Sequence, residues 1–177
     1  MEPSDEATDA ALKLARDQGD AMERALKHMT EEEATDGGEQ HAGDYRVGYA
    51  VEKAEGLYHM RDGHLRWEEP TDENVHVEVS VRDAADGRFI PGLTVHATLI
   101  DPDGQEVGTH TQPFLWHPWL YHYGRNWRVP GDGAYTLRVR VDAPTFHRHD
   151  RINGDRYADP VEVEFRGVRI VTGQKKG

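Results

Sequence analysis

"NVHVEVSV", residues 74–81, decides the fold. Valine stands at 75, 77, 79 and 81, with His76, Glu78 and Ser80 between. A period of two belongs to a β-strand, whose successive side chains point to opposite faces. Branching at the Cβ of valine favours that backbone. The alternation recurs downstream. "LTVHATL" (93–99) places Leu93, Val95, Ala97 and Leu99 on one face. "YTLRVRV" (135–141) does so with Tyr135, Leu137, Val139 and Val141, and "VEVEF" (161–165) with Val161, Val163 and Phe165. "DAADG", "DPDG", "PGDG" and "INGD" supply turn chemistry between such runs. "DYRVGYAVEKAEG" (44–56) and "HLRWEE" (64–69) add less regular strands. About seven short strands, each with one buried and one polar face, predict a mainly β protein: an immunoglobulin-like antiparallel β-sandwich.

Upstream the period lengthens. Ala11, Leu14, Ala15, Met22, Ala25, Leu26 and Met29 form a thin apolar stripe, which predicts an α-helix over 8–34. Ser4 or Thr8 would cap it. Gly19 interrupts the stripe at a cost of about 1 kcal/mol relative to alanine. "EEEATDGGEQHAGD" (31–44) reads as a polar, glycine-rich linker. The chain thus divides into an acidic amphipathic helix with its linker, 1–43, and an immunoglobulin-like sandwich, 44–177. The helix is expected to lie on the sandwich or on a partner subunit, with a soluble tether as the alternative.

Formal net charge is -12, from 33 acidic and 21 basic residues. Phosphate neutralisation needs clustered lysine and arginine, so nucleic acid is disfavoured as a partner. Anionic membrane surfaces are disfavoured for the same reason. Lysine is confined to Lys13, Lys27, Lys53, Lys175 and Lys176. An acid-rich, lysine-poor surface fits adaptation to high salt. The chain has no cysteine, so disulfides, thiolate ligands and cysteine nucleophiles are excluded. "MEPSDEATDA" has no apolar signal-peptide core, and no run reaches the roughly 18 apolar residues of a membrane span. The expectation is a protein not embedded in the membrane, either cytoplasmic or extracytoplasmic after removal of a leader.

Eleven histidines leave room for chemistry. His76 and Glu78 share one face of a strand, opposite the valines. They are either a solvent-facing pair or an H-x-E metal pair offering an imidazole nitrogen and a carboxylate oxygen. In the second case the site lies on the outer face of a sheet, and a loop or a partner subunit must cover it. "PFLWHPWLYHYGRN" (113–126) gathers His117 and His122 among Trp116, Trp119 and Tyr121. Pro113 and Pro118 make it a loop or edge element. The aromatic residues either plug the open end of the sandwich or form an apolar shell around histidine ligands. In "FHRHD" (146–150), His147 and His149 would point to opposite faces if extended, so one at most joins a given site. A polar turn after Pro144 is the plainer reading. No glycine-rich phosphate loop, HExxH or GxSxG motif is present. A metalloenzyme would need an open coordination position with a nearby acid or base. Glu69, Glu73 and Asp150 are the nominees, and spacing selects none, so no enzymatic activity is assigned.

Taken in order, "HVEV" (76–79), "HYGRN" (122–126), "PGDGAYTLRVRV" (130–141) and "RHD" (148–150) resemble the periplasmic iron-transport protein family, found beside iron permeases in bacteria. The resemblance covers roughly residues 44 to 172. It implies an immunoglobulin-like sandwich that forms a homodimer, binds copper and related divalent ions, and serves iron uptake. It also implies a metal site of His76, Glu78, His122 and His149. The family's methionine falls at Leu115 here, and His117 is the nearby replacement. Losing a thioether weakens the case for Cu(I) and leaves a set suited to Cu(II), Zn(II), Ni(II) or Fe(II), of which Cu(II) should bind most tightly. The expected function is therefore metal binding in iron or copper handling, assisting iron uptake. The expected cofactor is a divalent transition metal ion, copper or iron, held near a dimer interface, with an iron permease as partner. The alternative is a carbohydrate- or peptide-binding sandwich that uses Trp116, Trp119 and Trp127 as a platform.

Overall fold

The four valines of the opening stretch are buried in the centre of a sandwich, as alternation requires. The computed structural model describes residues 1–176. Its strands in chain order are β1 (Asp36–Ala42), β2 (Tyr45–Glu52), β3 (Leu57–Arg61), β4 (His64–Glu68), β5 (Val75–Asp83) and β6 (Val95–Ile100). They continue with β7 (Glu106–Thr111), β8 (Phe114–Trp116), β9 (Tyr121–Trp127), β10 (Gly133–Val141) and β11 (Val161–Ile170). One sheet runs β1-β2-β5-β9-β8 and the other β11-β10-β6-β7. All pairings within them are antiparallel. The facing sides share one core, with Val77, Val79 and Val81 of the first sheet and Leu99, Leu137, Val139 and Phe165 of the second. The mainly β sandwich inferred from alternation is the fold observed.

There are more strands than the alternating runs announced. The segment read as linker contributes β1, which forms a hairpin with β2 from Asp36↔Val51 to Ala42↔Tyr45. Gly43 turns the chain at φ 57°. Polar side chains are tolerated on β1 because it is a sheet edge. β3 and β4 form a separate two-stranded hairpin closed by Asp62 and Gly63, both at positive φ, as an Asp-Gly turn prefers.

The helix α1 spans Asp9–His28 and continues as a π-helical turn over Met29–Glu33. The Thr8 hydroxyl accepts the Ala11 N–H at 3.2 Å and caps it. Its buried stripe is Leu12, Ala15, Gly19 and Met29. Leu14, expected on that stripe, points outward and is 63 % exposed. The stripe is displaced because Gly19, not a side chain, makes the closest contact. A Cβ at Gly19 would sit 1.7 Å from the Asp86 carbonyl oxygen, so the missing methyl lets the helix cross the 86–87 turn. At its far end Met29 packs with Ala50 and Leu120. The helix therefore lies on the sandwich and is not a free tether.

That packing changes the meaning of β5. Alternation implied one buried and one polar, exposed face, yet every residue from Val75 to Asp83 is buried. Leu26, Met29 and Thr30 line a cavity of about 280 Å³ together with Glu78, Ser80, Arg82 and His122 of the outer face. The polar side of the strand is thus roofed by the helix.

Candidate metal centre

Register places the polar groups. β2 pairs with β5 so that Ala50 opposes Glu78 and Glu52 opposes His76. β5 pairs with β9 so that Glu78 opposes Gly124 and His76 opposes Asn126. His122 is two residues before Gly124 and shares its face. Three strands thereby bring His76, Glu78 and His122 together, with one potential ligand atom from each within 4.8 Å of the others. Nε2 of His122 is 3.5 Å from the Glu78 carboxylate, and Nε2 of His76 is 4.0 Å from it. The two imidazoles stand edge to face, their centroids 6.0 Å apart.

Asn126 sets the orientation of His76. Its Nδ2 donates to the Glu55 carbonyl at 2.7 Å, and its Oδ1 accepts the Glu55 N–H at 3.2 Å. The backbone thus fixes which end of the amide is which. Oδ1 lies 2.9 Å from Nδ1 of His76, so that nitrogen must carry the proton and donate. Nε2 of His76 is then a free lone pair, aimed at the carboxylates. This is how an outer partner prepares a histidine ligand.

The trio is electron-rich and buried. Nε2 of His76 and both ring nitrogens of His122 are buried without a hydrogen-bond partner. Burial holds the His76 imidazole below its ordinary pKa. Burial, aided by the neighbouring His76 and His117, pushes His122 down to about 3. Burial and then the charges of Glu52 and Glu55 push Glu78 up to about 8. Buried polar atoms left unpaired cost roughly 1–3 kcal/mol each, and one cation would answer Nε2 of His76 and one ring nitrogen of His122 together. Gly124 keeps the space open: a Cβ there would stand 3.1 Å from both Nε2 of His76 and the His122 ring. Two neutral imidazoles and a carboxylate around such a gap are a donor set that fits a divalent transition metal.

The remaining predicted residues are placed differently. His117 lies beside the trio, its Nδ1 buried and unpartnered and its ring packed edge-on against Trp119 at 4.9 Å. It is near enough to depress the His122 pKa but is not among the converging ligand atoms. His149 is not brought to the centre by this chain. Its side chain is 91 % exposed and pairs with Glu6 at 3.1 Å, in a loop where Asp150 accepts the Ser4 hydroxyl. Sequence order carried no information about that distance.

The apolar shell is also composed of other residues. Trp116 and Tyr121 are cross-strand partners on the face of the sheet opposite His122, and Trp116 is 70 % exposed. Trp119 is exposed too, edge-on to His28 of the helix. Leu120 and Met29 do the covering, and Leu115 stands directly across from His122. Asn126, Glu52 and Glu55 escaped the sequence reading. Asn126 was visible as the final residue of "HYGRN", but its role depends on contact with Glu55, 71 positions earlier in the chain.

The sequence profile of the family described as Fe2+ transport protein matches residues 32–168. Among solved structures the chain is similar to "as isolated" FetP of uropathogenic E. coli strain F11. That match has 21% identity and a TM-score of 0.62, and covers 76% of this chain and 93% of that one. Copper-reconstituted P19 of Campylobacter jejuni matches with 17% identity and a TM-score of 0.63, over 78% of this chain and 96% of that one. At these identities the structural likeness speaks for the fold. No curated protein matches the chain. No helix among the described residues is long and apolar enough to cross a membrane.

Proposed function

This chain belongs to the Fe2+ transport protein family, and from that premise we propose that it is a non-enzymatic metal-binding protein of iron and copper handling that assists iron uptake. His76, Glu78 and His122 are the proposed ligands from one chain, with His117 as an auxiliary. One observation carries this reading: Nε2 of His76 and Nε2 of His122, both buried without hydrogen-bond partners, lie 4.0 and 3.5 Å from the buried Glu78 carboxyl group. A bound ion would take up the imidazole lone pairs and displace the Glu78 proton to water. The chain's own residues do the rest. Asn126 orients His76, Gly124 leaves the gap, and Met29 lines the cavity beside Glu78 and His122. Copper-bound FetP and P19 support copper, alongside iron, as the ion.

His149 enters this proposal only from a second copy. It is exposed and pairs with Glu6 of its own chain, outside the converging ligand set, so it would ligate across a homodimer contact. An iron permease as recipient and an extracytoplasmic setting complete the proposal, on the family's transport description. The test is titration calorimetry with Cu(II) on wild type and on His122→Ala, at pH 7.5 and at pH 5.5. Affinity should fall by two to three orders of magnitude in the variant. It should also weaken at the lower pH, because the metal must displace the proton that Glu78, its pKa raised to about 8 by burial, holds below that value. Equal tight binding by both proteins would refute the assigned centre.

The exposure of Trp116, Trp119, Tyr121 and Phe114 favours one alternative, an aromatic platform for carbohydrate or peptide. Tryptophan fluorescence separates the two readings. Quenching by micromolar Cu(II) supports the metal reading, and a response to oligosaccharide or peptide alone supports the platform.

A further inference from the structure

The cavity beneath the helix carries hydrogen-bond donors that the metal centre does not use. Its floor is the outer face of β2 and β5, where Gly48 pairs with Ser80. Arg82 and Ser80 of β5 line it and are themselves buried, at 3 % and 6 % exposure. Nε and Nη1 of Arg82 and Oγ of Ser80 have no hydrogen-bond partner. Gly48 leaves the space in front of Ser80 open. The nearest atom to a Cβ there would be the Gly38 carbonyl oxygen, 3.4 Å away, so the position is roomy rather than crowded.

A guanidinium is always charged, so these donors call for a negative partner. One edge of Arg82 has it: Nη2 forms an ion pair with Glu39. The other edge is only approached. A Glu23 oxygen of the helix stands 3.7 Å from Nη1 of Arg82 and 3.6 Å from Nη1 of Arg46, beyond hydrogen-bond length. Arg46 is the cross-strand partner of Arg82. The Glu23 side chain is 57 % exposed, so it can turn to water without disturbing the helix. A carboxylate is thus drawn to two guanidiniums without bonding either. A free carboxylate would give Nη1, Nε and the Ser80 hydroxyl the short, charge-assisted bonds that Glu23 does not make. Leu26, Met29 and Ala50 supply apolar lining. A cavity of about 280 Å³ lies at the small end of ligand pockets, which suits an acid with a short hydrocarbon body.

We propose that this cavity is a seat for a small organic carboxylate, its carboxylate held by Arg82 and Ser80 in place of Glu23 and its hydrocarbon body against Leu26, Met29 and Ala50. Binding is an exchange of like charges. The two guanidiniums face Glu39 and Glu23 in the free protein, and Glu39 and the ligand in the occupied one, while Glu23 is released to water. The local charge is therefore unchanged, and no covalent bond is made or broken. Arg82 and Ser80 are not among the proposed metal ligands, so the seat stands apart from the histidine centre, although Glu78 and His122 line the same cavity.

Sodium butyrate is the probe, titrated into the metal-free, full-length chain. The Arg82 Nε–H and the Gly48 and Ser80 amides are followed by nitrogen-15 NMR. Wild type should show saturable shifts at all three. Butyramide has the same shape without the charge and should bind at least tenfold more weakly. Glu23→Gln removes the internal competitor and should tighten butyrate binding about two- to fivefold, the scale of an exposed ion pair. Gly48→Val fills the space before Ser80 while leaving Arg82 in place, and should weaken binding at least tenfold. Should Gly48→Val fail to fold, as its melting curve would show, Ser80→Ala decides instead, with a loss of at least threefold expected and unchanged affinity overturning the seat. The seat is equally overturned by the absence of saturable shifts in wild type. Butyramide or sulfate binding as tightly as butyrate would do the same, as would equal butyrate affinity in wild type and folded Gly48→Val, or in wild type and Glu23→Gln. Because no metal is present, failure of the histidine centre to bind Cu(II) would leave each of these comparisons standing.

Discussion

The strand β5 has two faces, and both are buried. Inward stand Val75, Val77, Val79 and Val81, all fully buried. Outward stand His76, Glu78, Ser80 and Arg82, buried almost as deeply. Area removed from water is similar, but the energetic meaning is opposite. The inner face gives up only apolar surface and contributes on the order of 25 cal/mol per Å². The outer face gives up hydration of charged and polar groups and recovers part of it. Arg82 forms an ion pair with Glu39 and His76 a hydrogen bond with Asn126, whereas His122 recovers nothing. One face stores stability, and the other stores affinity for a cation.

The contrast breaks if the two faces answer mutations alike. The largest expected effect is on the inner side. Leu99→Ala should cost about 2–5 kcal/mol of unfolding free energy in urea, while Cu(II) affinity of the folded fraction stays within twofold. A fall in affinity matching the loss of stability would merge the two faces into one. Next comes Asn126→Ala, which frees the His76 ring without touching a ligand. Cu(II) affinity should drop about 10–100-fold, read by calorimetry.

Third is Glu78→Gln in metal-free protein. In the folded chain the Glu78 pKa is raised from 4.5 to about 8, chiefly by burial. The stability tied to its neutral form is complete below pH 4.5 and is lost as pH rises through 8. Removing the titration should therefore leave the variant gaining on wild type across that window, by on the order of a few kcal/mol at pH 8. His76 and His122 act in the other direction, because depressed folded values remove stability as pH falls below 6.5. If metal-free wild type and Glu78→Gln melt with the same pH profile, Glu78 is not held neutral by its surroundings. The smallest effect is expected at Trp116→Ala. An exposed ring on the far face should change both stability and Cu(II) affinity by less than about 0.5 kcal/mol, and a tenfold loss of affinity would restore the aromatic wall.

Legibility followed the range of the interaction involved. The sandwich was readable because alternation is a property of neighbours: Val75 to Val81 and Tyr135 to Val141 announce a buried face wherever they are placed. Thr8 as cap was equally local. β1 was missed because its pairing with β2 offsets a polar, glycine-bearing sequence that carries no strand signal of its own. Of the candidate ligands, His76 and Glu78 were legible as a pair two apart. The convergence of His122 on them rested on family resemblance rather than on spacing, and His149 shows how little spacing can say.

By itself the sequence determined which residues alternate, where the chain turns, that no thiol chemistry is available, and which imidazoles and carboxylates exist to be used. Only the tertiary structure decided that the polar side of β5 lies beneath the helix, that Asn126 holds His76 in one tautomer, that Glu52 and Glu55 join Glu78, and that Arg82 and Ser80 bring unpaired donors to the cavity under the helix. The reason is physical. Periodicity records which way a side chain points relative to its neighbours, whereas burial, pKa and ligand geometry depend on what the rest of the chain puts in front of it.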